Sequence, residues 1–306
     1  MEDSFVYLYG KKLVKFILKG VPSPLYLAMQ YRFMTGEKLH FKNPRLFDEK
    51  IQQLKLMDKN PLMSVCADKF RVREYVKGCG LGDILNEIYG VYHRAGEIDF
   101  SVFKSEVFLK CNNRSGANII YKKNQPFDKE KFAREFNGYL KDNYYYYARE
   151  WCYKDIPPMI IAERVLRDKE GRLPVDYKLF CFDGEVKIIS LELNKCSEAG
   201  RHTRVNYRNM YDVNFNLLPV KDTRENKDTD TISKPENLDL MVEYARKLSS
   251  PFAHCRVDFL WVEGKIYFGE MTFYHGSGYN RITPREWAIK MGDWIDLSSK
   301  KIVRSK

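Results

Sequence analysis

The segment HCRVDFLWVEGKIYFGEMTF, residues 254–273, carries two carboxylates and a guanidinium at spacings that a β-hairpin brings together. Two β-rich runs flank Glu263-Gly264, which is a turn signature. With Gly264 at the left-handed position of a three-residue loop, Trp261 falls opposite Lys265, Arg256 opposite Glu270 and Asp258 opposite Phe268. Arg256, Asp258, Glu270 and Thr272 then share one sheet face, and Val257, Phe259, Trp261, Tyr267 and Met271 share the apolar one. Half-buried carboxylates need a counter-charge, so a structural ion pair with Arg256 is one reading. The other starts from the glycine-bearing turn Tyr274-His275-Gly276-Ser277-Gly278 that follows directly. Mg²⁺ binds through one or two carboxylates plus phosphate oxygens, which makes Asp258 and Glu270 candidate metal ligands beside a phosphate.

Cations that suit phosphates stand upstream. Phe108-Leu109-Lys110 ends a short strand, and Cys111 to Asn118 forms a polar turn containing Ser115 and Gly116 before a returning strand. Such a turn can fold over phosphates with backbone N–H groups and one lysine as donors. Met159-Ile160-Ile161-Ala162-Glu163 is a buried strand ending in an acid, followed by Arg164-Val165-Leu166. Asp176 and Lys178 fall on one face of a strand leading to the Asp183-Gly184 turn. Taken singly, each is also an ordinary strand end with a solvated charge. Neither GxxxxGK[ST] nor GxGxxG occurs. The basic stretch Lys195 to Arg204 contains Arg201, His202 and Arg204, which as a group suit an anionic sugar or a carboxylate, with His275 a further acceptor candidate.

Elements to hold these residues are legible in the pattern. Strands are expected at 88–92, 107–110, 118–121, 159–163, 175–182, 186–193, 254–261 and 265–271. Helices are expected at about 25–34, 49–57 with Asp48 as N-cap, 69–78 behind Asp68, 128–150, 236–248 and 284–294. Helices come first and mixed elements later, an α+β order. Residues 221–237 hold one strong apolar residue, Ile232, and read as a mobile surface loop. No internal repeat is present. The run Tyr144 to Tyr147 reads as a half-buried helical turn.

With 306 residues the chain is about two domain-lengths long. Its 44% hydrophobic and 30% charged content excludes wholesale disorder. The net charge of +11 favours polyanionic partners. Residues 11–45 contribute eight cationic side chains against the single acid Glu37, and Lys300 to Lys306 adds four more. Lys11, Lys12, Lys15 and Lys19 line one side of a short amphipathic pattern that could lie on an anionic membrane or cap the next domain. No stretch has a spanning helix's apolar length, and the start is a poor signal peptide. Seven scattered cysteines without a CxxC pair fit a reduced cytoplasmic setting.

In order, Asp68-Lys69 with Arg73, FLKCNNRSGANII, MIIAE, VDYKLF, CRVDF and GEMTF resemble the ATP-grasp superfamily. With NPRLFDEKIQQLKLMDKNPLMSVCADKFRVREYV they resemble the TupA-like ATP-grasp family of bacterial surface-polysaccharide biosynthesis, over about residues 31–292. The resemblance implies an α+β fold of two subdomains clasping ATP. It implies a helical basic region at 1–60, a phosphate-loop subdomain at 61–155, and a subdomain at 156–306 with the adenine hinge and metal site. Lys69 and Lys110 would contact the α- and β-phosphates. Glu163 and the backbone of Arg164, Val165 and Leu166 would hold adenine, Asp176 the ribose, and Lys178 the terminal phosphates. Asp258 and Glu270 would ligate Mg²⁺, and Arg256 would stabilise the transferred phosphoryl group or the tetrahedral intermediate. Two positions depart from the pattern: Thr272 stands where many members have asparagine, and Arg114 where the phosphate loop commonly has glycine.

The reading implied is an ATP-dependent carboxylate–amine ligase acting through an acyl phosphate. Its partners would be ATP, a uronic-acid glycan or nucleotide-sugar, and an amine or amino acid, with peripheral association at the inner membrane through the basic N-terminus. A phosphotransferase or glycosyltransferase in the same biosynthesis remains open, as does a non-catalytic polyanion- or membrane-binding protein. Nucleic acid is not an expected partner, because basic and aromatic residues are not interleaved in any recognised binding motif.

Overall fold

The structure is a computed structural model that describes residues 19–193, 197–201, 203, 206–227 and 232–304. Helices α1 (Ser23–Thr35), α2 (Phe47–Met57), α3 (Pro61–Ala67) and α4 (Val72–Gly78) come first. Strands β1 (Ile88–Tyr92), β2 (Val107–Cys111) and β3 (Asn118–Tyr121) follow, then α5 (Lys129–Lys141), α6 (Tyr145–Ala148) and β4 (Ile160–Arg164). The remainder is β5 (Val175–Phe182), β6 (Glu185–Leu193), β7 (Tyr207–Tyr211), β8 (Lys221–Asp222), α7 (Leu238–Ser249), β9 (His254–Val262), β10 (Lys265–Thr272), β11 (Ile282–Thr283) and α8 (Arg285–Asp293).

Two antiparallel sheets dominate. One has the order β1-β4-β2-β3, the other β10-β9-β5-β6-β7. The chain passes from one to the other between Arg164 and Val175. The four-stranded sheet packs α5 against its apolar face through Phe132 and Phe136, with Phe100, Phe103 and Tyr121 in the same cluster. The five-stranded sheet buries Leu179, Ile189, Val257 and Phe259 in a core that α7 covers, while α8 packs against α2 and β11. Helices α2, α3 and α4 join that second core through Ile51, Met63 and Val76. By shared core, residues 46–84 therefore belong with the C-terminal sheet, and the boundaries expected at 61 and 156 do not follow the packing. Tyr26, Leu27 and Tyr31 of α1 form a smaller cluster with Leu39 and Tyr279.

Local differences from the expected elements have physical causes. Asp48 is not the cap of α2. Glu49 reaches back to accept from the N–H groups of Arg45 and Leu46 at 2.9 and 3.0 Å, and Asp48 is buried, accepting from the Tyr31 hydroxyl at 2.8 Å. Asp68 does accept from the N–H groups of Phe70 and Arg71 at 2.9 and 3.2 Å, although α4 starts only at Val72. The pattern at 128–150 splits into α5 and α6. Residues 221–237 are not all surface loop, because Asp222 in β8 is fully buried. The lysine-rich pattern at 11–19 lies outside the described residues except for Lys19.

Candidate active site

The β9–β10 hairpin differs from the expected register in two compensating ways. Its turn has two residues, Glu263 and Gly264, both at positive φ (50° and 79°), so Lys265 pairs with Val262. A bulge at Gly269 then sets Glu270 opposite Asp258 and Thr272 opposite Arg256. A Cβ at Gly269 would meet the Asp258 carbonyl oxygen at 3.0 Å, which explains glycine there. The two one-residue shifts add to a displacement of two residues, which restores the face while changing the partner. Arg256, Asp258, Glu270 and Thr272 thus share a face as expected, while Tyr267 and Phe268 exchange faces. Tyr267 pairs with Leu260 and accepts from Arg164 Nη2 at 3.1 Å, and Phe268 joins the core.

Asp258 and Glu270 form the floor of a cleft of about 950 Å³ between the sheets. Lys69, Lys110, Ser115, Gly116, Glu163, Arg164, Val165, Leu166, Asp176, Asp258 and Glu270 line it. Lys178 and Arg256 lie just beneath. Lys178 sits directly opposite Asp258 in the β5–β9 ladder and is 2% exposed. Its ammonium is 2.6 Å from Asp258 Oδ2, 3.3 Å from Glu192 Oε2 and 4.0 Å from Asp176 Oδ2. Arg256 grips Asp258 with Nε and Nη2 at 2.6 and 2.7 Å, and its Nη2 lies 3.6 Å from Glu270. Burial pushes the Asp258 carboxyl up, but Arg256 and then Lys178 outweigh it, so it titrates below its ordinary value.

Behind Arg256 runs a chain of partners. Arg256 Nη1 lies 2.7 Å from His275 Nδ1, and His275 Nε2 lies 2.5 Å from Asp222 Oδ2. An arginine only donates, so Nδ1 accepts and Nε2 carries the proton that is donated to Asp222. Burial agrees, pushing His275 down to about 4. Asp222 also accepts from Arg208, from Asn280 Nδ2 at 2.8 Å and from Thr223 Oγ1 at 3.0 Å. Burial pushes Asp222 up, yet His275 and Arg208 outweigh it and hold the carboxyl well below the usual range. Arg208 and Arg224 both donate to Glu192, which closes the network back onto Lys178. His275, 2% exposed with both ring nitrogens engaged, stands behind Arg256 and not on an acceptor wall.

The opposite wall comes from the four-stranded sheet. Lys110 pairs with Glu163 at 2.8 Å. Lys69 donates to the Arg114 carbonyl at 2.9 Å and lies 3.3 Å from Glu270, so it spans from the phosphate turn to the floor. Buried Asn112 fixes that turn, donating to Asp68 Oδ1 and the Pro157 carbonyl at 2.9 Å and accepting from Met159 N–H at 2.8 Å. Gly116 adopts φ 76°, as a chain reversal there requires. Arg114 lies 4.4 Å over the Tyr139 ring. At the hinge, the Arg164 N–H is already spent on the Glu87 carbonyl at 3.0 Å.

A strap after β6 ties the sheets together. Ile120 N–H donates to the Ala199 carbonyl at 2.8 Å, and Asn118 donates to that of Gly200. Gly200, at φ 73°, packs so closely that a Cβ would meet Ile120 at 2.9 Å and Phe108 at 3.1 Å. Arg201 grips Glu135 through both guanidinium nitrogens at 2.5 and 2.9 Å, so this acceptor candidate serves the strap. His202 and Arg204 fall outside the described residues. Glu192, Arg208 and Asp222 were not singled out in the sequence. Glu192 is legible in hindsight as the register partner of Asp176, whereas no local pattern marks Asp222.

Two antiparallel sheets closing on a cleft with lysines on one wall and paired carboxylates on the floor define an α+β protein of the ATP-grasp type. The chain belongs to the TupA-like ATP-grasp family, whose model matches residues 49–296. No curated protein matches it. Among solved structures it is similar to an L-amino acid ligase from Bacillus licheniformis, at 14% identity and TM-score 0.42 over 70% of this chain and 44% of that one. A D-alanine–D-alanine ligase from Helicobacter pylori matches at 14% identity and TM-score 0.44, over 83% and 68% of the two chains. A biotin carboxylase from Campylobacter jejuni matches at 11% identity and TM-score 0.41, over 81% and 50%. The chain spans about half the length of the solved proteins that it matches first.

Proposed function

We propose that the protein is an ATP-dependent carboxylate–amine ligase joining an amino compound to a uronic-acid-containing surface glycan or its precursor. The observation that carries this is the convergence on one cleft of Lys69 and Lys110, the Glu163–Leu166 hinge, and the facing pair Asp258 and Glu270 backed by Lys178 and Arg256. Adenine would lie along Val165 and Leu166 beside Glu163, the ribose at Asp176, and the phosphates between the lysines and the floor.

The donor set suits magnesium. Among the described residues no three His, Cys, Asp or Glu side chains gather as a metal site, so two facing carboxylates would share the ion with phosphate oxygens. When bound, the ion supplies charge neutralisation of the phosphates. The protein's own part is positioning and charge. Phosphates entering the cleft draw Lys69 from Glu270 and offer Lys110 a partner other than Glu163. Arg256, held rigid by Asp258 and His275, faces the transferred group. The acceptor carboxylate oxygen attacks the γ-phosphorus and ADP leaves. The amine nitrogen then attacks the acyl carbon, phosphate leaves, and the nitrogen sheds a proton. The ATP supply places this reaction on the cytoplasmic side.

The test is ADP release from Mg²⁺·ATP across a panel of uronic acids and amines, with the product identified by mass. Release that requires both acceptor and amine, with an amide product, supports the proposal, and Asp258→Asn and Glu270→Gln abolish it. A phosphorylated hydroxyl product would overturn it.

A further inference from the structure

Helix α1 is apolar on two sides. Tyr26, Leu27 and Tyr31 are buried against Leu39 and Tyr279. On its outer side Leu25, Met29 and Phe33 follow at intervals of four residues, with Met34 beside Phe33, and their exposures are 55%, 55%, 86% and 55%. A helix facing water normally places polar residues there, so three large apolar side chains on one exposed stripe, with Met34 exposed about 100° further round the helix, mark a contact surface.

The rim of this stripe is cationic. Lys19, Arg32, Lys38, Lys42 and Arg45 are exposed, and Glu37 is the one acid between residues 19 and 46. Arg281 and Arg285, from the far end of the chain, close on Glu37. Charge selects among the three possible occupants. A second copy would bring two cationic rims together. Residues 1–18 carry Lys11, Lys12 and Lys15 against Glu2 and Asp3, so folding their lysine-bearing part over the stripe would add like charge to the rim. An anionic surface with an apolar interior satisfies the stripe, the rim and those lysines together.

We propose that the outer face of α1 docks the protein on an anionic lipid bilayer, with Leu25, Met29 and Phe33 entering the interface and the surrounding Lys and Arg residues meeting the headgroups. This surface is separate from the nucleotide cleft and does not depend on the ligase reading.

Vesicle flotation of the full chain tests it, with phosphatidylcholine alone and with roughly a third of the lipid replaced by phosphatidylglycerol. Binding to the anionic vesicles is expected, weakened by about tenfold or more in ~0.5 M NaCl and by a similar factor in the double variant Met29→Gln, Phe33→Gln. Both side chains are exposed, so the variant should melt with the wild type, which separates loss of docking from loss of fold. No binding to anionic vesicles overturns the proposal, and so does equal, salt-insensitive binding to both vesicle types. Full binding by the double variant that disappears only when residues 1–18 are deleted assigns docking to that segment and overturns the role of α1. A dimer in solution that the double variant dissociates assigns the stripe to a second copy and also overturns it.

Discussion

Replacing Asp222 by asparagine removes one charge from a buried network without changing its size. The carboxylate accepts from Arg208, His275, Asn280 and Thr223, all donors. An asparagine offers one oxygen in place of two, so its NH₂ faces either Arg208 and His275, which share Oδ2, or Thr223 and Asn280, which share Oδ1, and Arg208 and His275 lose the charge in both cases. Breaking a buried charge pair from one side costs about 3–5 kcal/mol. For a chain of this length that lowers the melting temperature by roughly 5–8 °C at pH 7, read by circular dichroism or differential scanning fluorimetry. The sign against pH is fixed. The Asp222 pKa is depressed in the folded state, so its contribution is complete above the unfolded carboxyl value near ~3.9 and fades as pH falls below it. The gap between wild type and variant is therefore flat from pH 7 to 5 and narrows below ~4. Freed of its backing, His275 no longer holds Arg256, and turnover should fall more than the ATP KM rises. A variant that melts within about 1 °C of the wild type at pH 7 would refute the account of the network.

Other outcomes follow from the same structure. Lys178→Met leaves Asp258 and Glu192 without their shared ammonium and should cost about 3–5 kcal/mol with loss of turnover, checked by urea denaturation and ADP release. Buried neutral His254 and His275, pushed down to about 3 and about 4, make stability fall as pH drops below the unfolded histidine value near ~6.5; each should cost about 2 kcal/mol at pH 5, measured as urea midpoints at pH 7 and 5. Gly200→Ala places a methyl against Ile120 and Phe108 at a left-handed backbone position, so the strap should loosen and the ATP KM rise several-fold in steady-state kinetics.

Much of the fold was legible because its strands are runs rich in β-branched and aromatic residues and several of their turns carry glycine. The spans 88–92, 118–121 and 175–182 match β1, β3 and β5 residue for residue. Short α3 was missed, because its seven residues give little periodicity, although Asn60-Pro61 pairs a capping side chain with proline at the first helical position. Strand β7 escaped because Tyr207–Tyr211 places Arg208 and Asn209 in the interior, against the usual polarity of a core strand. That the two acids share a sheet face could be inferred from the hairpin, but not that they pair directly. A bulge is a cooperative property of two strands, and Gly269 alone does not announce one. Asp222 was hidden for a similar reason. Its neighbours are polar and its partners Arg208 and His275 come from other elements, so only the assembled sheet shows it to be buried.

The charge network also sets a timetable for synthesis. Its members appear in the order Lys178, Glu192, Arg208, Asp222, Arg256, Asp258 and His275, spread over about a hundred residues. A ribosome adding roughly 5–20 residues per second takes some seconds between the first of them and the last. During that interval Lys178 has no Asp258 to face, and the half-made sheet cannot expel water from around its ammonium. The C-terminal core and the cleft floor must therefore become dry in one event, after the turn bearing His275 has left the exit tunnel. A nascent chain halted before residue 275 would keep this half hydrated and accessible to protease, whereas the sheet formed by β1 to β4 has all its strands by residue 164 and can already be closed.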